Sequence, residues 1–173
     1  FRVLPAFYEV FADAVEAVLE RPMRPIHPEL RTAFEFVHLP YEQVMTRKDL
    51  EHYAAQGGVY GRWGKRLLAQ LDAGETFAAG YPYAVQVWRL GDDLLWISLG
   101  GEAVVDYAIK FKSLYGPHTI VNGFSHDLTA YIPSRRVWDE GGYEGGFVGE
   151  YGLPAMRWQP DIEDRITAAV KRL

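Results

Sequence analysis

The sequence predicts a mixed α/β fold, a layered sheet flanked by helices. Three observations predict it. Two β-rich runs, 83–90 and 94–99, are separated only by Gly91-Asp92-Asp93 and read as a β-hairpin over 83–99. Strand, helix and strand then follow one another over 94–124, the pattern of a βαβ unit. The chain closes on Ile162, Ile166, Val170 and Leu173, an apolar stripe at helical spacing that would dock on such a body.

The elements follow in order. Phe7, Val10, Phe11, Ala14 and Val18 fall at helical spacing with Glu9, Asp13 and Glu16 elsewhere, so 5–19 is predicted as an amphipathic helix. Pro22, Pro25 and Pro28 end it and stiffen the linker, because proline lacks a donor N–H and blocks helix continuation. Residues 31–39 alternate, with Thr32, Phe34, Phe36 and His38 on one face and Ala33, Glu35, Val37 and Leu39 on the other. Thr46 opens a helix running to Gln56, with Asp49 as its capping-box partner. Gly57-Gly58 breaks it from a second helix over 60–71, whose Arg62, Lys65 and Arg66 read as a solvated face in preference to an anion site.

Leu94 to Leu99 is apolar at nearly every position, which predicts a strand buried on both faces. The helix from Ala103 to about Leu114 places Val104, Ala108, Phe111 and Tyr115 on one face and pairs Asp106 with Lys110. Gly116-Pro117 stops it, and a strand follows from Thr119 to Phe124. Ser134 caps a short helix containing Val137 and Trp138, and Pro160 opens the last helix.

Bulk properties narrow the function. The 173 residues, 49% of them apolar, suffice for one domain with a real core. A net charge of −5 without a Lys/Arg-rich run argues against a nucleic-acid partner. The absence of cysteine excludes disulfides, cysteine nucleophiles and cysteine zinc sites. No apolar run approaches the ~20 residues of a membrane span, and no signal peptide is visible. The first residue is Phe1, which reads as a start inside a longer polypeptide. No two histidines have H-x-H or H-x-x-x-H spacing, and no G-x-S-x-G elbow exists.

Candidate site residues gather between Leu94 and Tyr143. Glu102 follows an apolar strand and two glycines and is expected in a helix's first turn, where the dipole stabilises a carboxylate. That placement alone accounts for a glutamate there. Tyr131 and Tyr143 stand twelve positions apart, and each also reads as a half-buried tyrosine with its hydroxyl bonded. Asn122, His126 and Asp127 lie at the carboxyl end of the second strand, where open α/β sheets place ligands. They are candidates to orient a ligand from behind.

These residues carry a resemblance. Gly100-Gly101-Glu102, Gly116-Pro117-His118-Thr119 with Val121-Asn122-Gly123, Tyr131-Ile132-Pro133-Ser134-Arg135-Arg136, and Glu140-Gly141-Gly142-Tyr143-Glu144 resemble segments of the neutral/alkaline (non-lysosomal) ceramidases. The likeness covers most of 31–145. It implies that 1–173 is one unit, the carboxyl-side portion of a larger ceramidase-like catalytic domain. It implies Zn2+ held by Glu102 and Tyr131, with Tyr143 donating to the substrate oxygen. That family's two histidine ligands and its histidine-rich segment come earlier in its sequence and are not found in this chain. The implied partners are the upstream part of the polypeptide and a lipid-like N-acyl substrate, N-acylsphingosine, cleaved to sphingosine and fatty acid. An extracytoplasmic or secreted setting is implied as well. Two alternatives stand beside this: a zinc hydrolase of another N-acyl compound, and a non-catalytic binding domain without the metal.

Overall fold

Alternation of apolar and polar residues builds a four-stranded sheet in the order β1-β2-β3-β5: β1 is Leu30–Pro40, β2 Gly80–Leu90, β3 Leu94–Leu99 and β5 Ile120–Asn122. The computed structural model describes residues 3–27, 29–146 and 148–173, so Pro28 of the predicted linker lies outside the described residues. β1 runs antiparallel to β2 from Leu30↔Leu90 to Pro40↔Gly80. The β2–β3 hairpin turns at Gly91, whose φ of +54° a side chain would resist. β3 and β5 are parallel, and helix α4 (Val105–Tyr115) connects them, as the βαβ pattern predicts.

One face of the sheet is the core. Val37, Leu39, Tyr83, Val85, Val87, Ile97 and Leu99 are buried there. Tyr107 and Phe111 of α4 pack into that core, as do Ile162, Ile166 and Val170 of α7 (Ile162–Arg172). Full burial of such side chains stabilises by roughly 1.5–3 kcal/mol each. A separate cluster of Met45, Leu50, Trp63 and Leu67 joins α2 (Arg47–Ala54) to α3 (Gly58–Asp72). Thr46 and Asp49 form the expected capping box, and Arg62, Lys65 and Arg66 are exposed. The amphipathic α1 (Val3–Leu19) is a helix whose described side chains, from Tyr8 onward, are all exposed. Among the described residues no helix is long and apolar enough to cross a membrane.

Several expectations are corrected. Glu102 is not in a helix: Glu102–Ala103 forms a short strand β4, Val104 caps α4, and the helix dipole no longer accounts for the carboxylate. Asp106 does not pair with Lys110. It meets Arg136 at 2.9 Å, whereas Lys110 meets Glu163 at 2.9 Å. An exposed i,i+4 pair is worth only about 0.3–0.5 kcal/mol, too little to compete with these tertiary partners. β3 is buried on its inner face but only in part on the other, where Ser98 is buried and Trp96 is 38% exposed. Along α4 the buried face is Val104, Tyr107 and Phe111, and Tyr115 is exposed. β2 begins at Gly80 and contains Pro82, which lies beyond the last β3 partner, where β2 is an edge and tolerates proline. β5 is shorter than 119–124, since the chain turns at Phe124 with φ +53°. Helix α2 stops at Ala54, short of Gln56, and α7 starts at Ile162 with Asp161, not Pro160, beside its first turn.

Candidate functional site

The site is assembled where β3 ends. Leu99 runs into Gly100-Gly101, and Gly101 turns with φ +57°. A Cβ there would stand 2.6 Å from the Ala130 carbonyl oxygen, so glycine is required for the close approach of the two segments. The Gly101 amide donates to the Asp127 carbonyl at 3.1 Å, and the Glu102 amide donates to the Ala130 carbonyl at 2.8 Å. These bonds zip Glu102 against β6 (Tyr131–Ile132), parallel, with Glu102 and Tyr131 as direct register partners. Side chains of such partners emerge on the same side, which brings the Tyr131 phenol under the influence of the Glu102 carboxylate.

Tyr131 is fixed from behind. Its carbonyl accepts from the buried Trp158 indole at 2.9 Å. The Tyr107 hydroxyl donates to the Pro133 carbonyl at 3.1 Å. Ser134 caps α5 (Arg135–Glu140) by accepting from the Val137 amide at 3.2 Å, as the sequence predicts. Gly141 and Gly142, both at positive φ, swing the chain into the short helix α6 (Gly142–Gly145). Its Tyr143 ring then meets Tyr131 edge-on, with centroids 5.2 Å apart at 69°.

A third phenol completes the group. Tyr151, on a 3-10 turn at Gly149–Tyr151, stands edge-on to Tyr131 at 6.3 Å and donates to the Tyr143 hydroxyl at 3.5 Å. Sequence reasoning misses Tyr151 because the surrounding glycines read as plain loop. Its only signal is its place eight positions after Tyr143 in that loop.

The electrostatics raise the Tyr131 and Tyr151 phenols. Tyr131 is pushed up to about 12, first by its hydrogen bond to Glu102, then by desolvation and the carboxylate's charge. Burial, and then the Tyr143 hydroxyl, raise Tyr151. Glu102, Phe124, Leu128, Ala130 and Tyr151 line a cleft of about 100 Å³, with Phe124 and Leu128 exposed at its rim. A larger cavity of about 480 Å³, lined by Glu42, Met45, His52 and Met156 among others, contains none of the expected site residues.

The three residues expected behind the ligands are placed differently. Asp127 accepts from the Tyr81 hydroxyl at 2.6 Å and its other carboxylate oxygen is buried without a partner. Its backbone holds the Gly101 turn, so it supports Glu102 through the loop and not by touching it. His126, at φ +73°, turns its ring onto Phe34 at 5.5 Å. Asn122 ends β5 opposite Ser98 with its side chain exposed. Neither His126 nor Asn122 makes a hydrogen bond to Glu102 or Tyr131.

Among the described residues no three His, Asp or Glu side chains gather as a metal site. The donor pair still suits a cation. Glu102 and Tyr131 offer two oxygens on register-paired residues, and carboxylate oxygen is an ordinary zinc ligand. Two donors make half of a tetrahedral set. No family model matches the chain, and no curated protein or solved structure matches it either.

Proposed function

We propose that this chain supplies the carboxylate-and-phenol half of a ceramidase-like zinc amide hydrolase. The observation that supports it is the register pairing of Glu102 with Tyr131 under the edge-on ring of Tyr143. Glu102 and Tyr131 would hold the zinc, together with two histidines from polypeptide outside this chain. Bound zinc supplies Lewis acidity and a coordinated water acidic enough to ionise near neutral pH. The side chains do the rest. Tyr143 presents an O–H to the amide oxygen and steadies the charge that develops there, an effect worth about 3 kcal/mol in comparable sites. Tyr151 donates to Tyr143 and fixes the direction of that hydroxyl. Phe124 and Leu128, exposed at the cleft, offer an apolar rim suited to an N-acyl chain.

The test uses a polypeptide that extends upstream of Phe1, assayed for zinc content and for hydrolysis of N-acylsphingosine. Tyr143→Phe is expected to keep the metal and lower kcat about 10²–10³-fold. Tyr131→Phe is expected to lose most of the zinc. The 173-residue chain alone is expected to bind zinc weakly and to hydrolyse nothing, because two ligands cannot close the site. A zinc-free extended protein, micromolar zinc binding or hydrolysis by the chain alone, or activity untouched by Tyr143→Phe would each overturn the reading.

A further inference from the structure

The outer face of the sheet carries no Asp, Glu, Lys or Arg. The outward-pointing positions follow from the register: Thr32 lies opposite Trp88, Trp88 opposite Trp96, and Trp96 opposite Ile120, a continuous row across all four strands. Phe34 and Phe36 extend it along β1, ring against ring at 5.0 Å. These aromatic side chains are exposed, Phe36 by 66%. A mostly antiparallel sheet that leaves one face to water normally makes that face polar, whereas this one carries a row of aromatic side chains. An apolar surface of this extent marks an interface.

We propose that α1 folds back onto this face and serves as its third layer. Glu9, Asp13, Glu16 and Glu20 repeat at four-three-four spacing, so they share one side of the α1 helix line. Phe11, Ala14 and Val18 form the opposite, uncharged side, and their side chains are exposed. An uncharged stripe therefore meets an uncharged sheet, and the acids point to water.

The tether puts the helix within reach. Arg24 donates to the Asp93 carbonyl at 3.0 Å, His27 Nδ1 lies 2.7 Å from the Asp93 carboxylate, and the Gly91 amide donates to the Glu29 carbonyl at 2.8 Å. The linker is thus pinned at the β2–β3 turn, beside the first apolar row of the face. The segment from Leu19 to Arg24 spans up to roughly 17 Å. The helix is about 25 Å long, and the face from Leu90 to Ala84 is about 20 Å long. A helix on so short a tether meets the sheet at millimolar effective concentration, which no dilute partner matches. The docking requires nothing of the Glu102–Tyr131 site.

The chain has no cysteine, so engineered thiols report without background. Ala14→Cys with Thr32→Cys, treated with a short bis-maleimide, is expected to cross-link within one chain. Adding Phe11→Glu and Val18→Glu should lower that yield at least about tenfold, because docking would now bury charge. Both substitutions sit on an exposed helix, and circular dichroism verifies that the body remains folded. Three results would each overturn the proposal: no cross-link; cross-links only between chains, which would assign the face to a second copy; and an intrachain yield that ignores the added charges.

Discussion

Tyr131, paired in register with Glu102, is the chemical centre of the candidate site. The phenol is raised to about 12, above the roughly 10 of a free tyrosine, mainly through its interaction with the Glu102 carboxylate. The sign of the linkage follows. A folded value above the unfolded one gives stability that is fully present below about pH 10 and is lost as pH climbs toward 12. Glu102→Gln keeps the shape and removes the charge. In a near-ultraviolet difference titration against the parent protein, one phenol is expected to ionise earlier, moving from about 12 toward 10. An unchanged titration would show that the two side chains are not coupled. Tyr41, also raised to about 12 but by burial, serves as the internal control that must not move.

At the scale of elements, an ionic and hydrogen-bonded latch sets the tyrosine block against α4 and α7. Asp106 accepts from Arg136 and from the Ser134 hydroxyl at 2.6 Å, and Glu163 accepts from Lys110 and from the Arg135 amide. Arg136, and then Ser134, hold the Asp106 carboxyl below the ordinary carboxylate range. A lowered folded value gives stability that is present above the unfolded pKa of about 3.9 and lost as pH falls through the folded one. Asp106→Asn is therefore expected to flatten the acid limb of unfolding free energy measured from about pH 5 to 2. A limb as steep as the parent's would assign the acid sensitivity to other carboxylates. The latch was not legible in the sequence. Local arithmetic offers Asp106 only Lys110, while its partner Arg136 arrives through the fold. Strand β4 was hidden for the same reason, since two residues extend there only because Tyr131 lies across from them. What local chemistry determines was legible: the Thr46 box, the Ser134 cap, the hairpin at Gly91 and the strand–helix–strand order. The burial of β3 is not legible either, because composition reports how apolar a strand is and not what covers it.

The whole molecule rests on two apolar clusters of unequal size, and the site leans on both. Glu102 and Tyr131 are fastened to the large one through β3, Trp158 and α5. Tyr151 is fastened to both: Val148 and Leu153 on either side of it pack with the large cluster, and α3 of the small one holds the residues that follow it. Arg66 of α3 donates to the Gly152 carbonyl at 2.6 Å, and the Trp63 indole donates to the Leu153 carbonyl at 3.0 Å. The α2–α3 pair buries only Met45, Leu50, Trp63 and Leu67 against the much larger sheet core, so it should open at lower free energy than the sheet. Leu50→Ala, in a fully buried position, is expected to cost about 2–5 kcal/mol within that unit. Amide hydrogen exchange should then quicken in α2, α3 and residues 149–153 while β2, β3 and α7 stay slow. Ile97→Ala, at the centre of the sheet core, should quicken all of them together. Uniform acceleration in Leu50→Ala would mean the clusters fold as one cooperative unit. Separate acceleration would mean that the α3 contacts to Gly152 and Leu153 can release while the large cluster still holds the Glu102–Tyr131 pair.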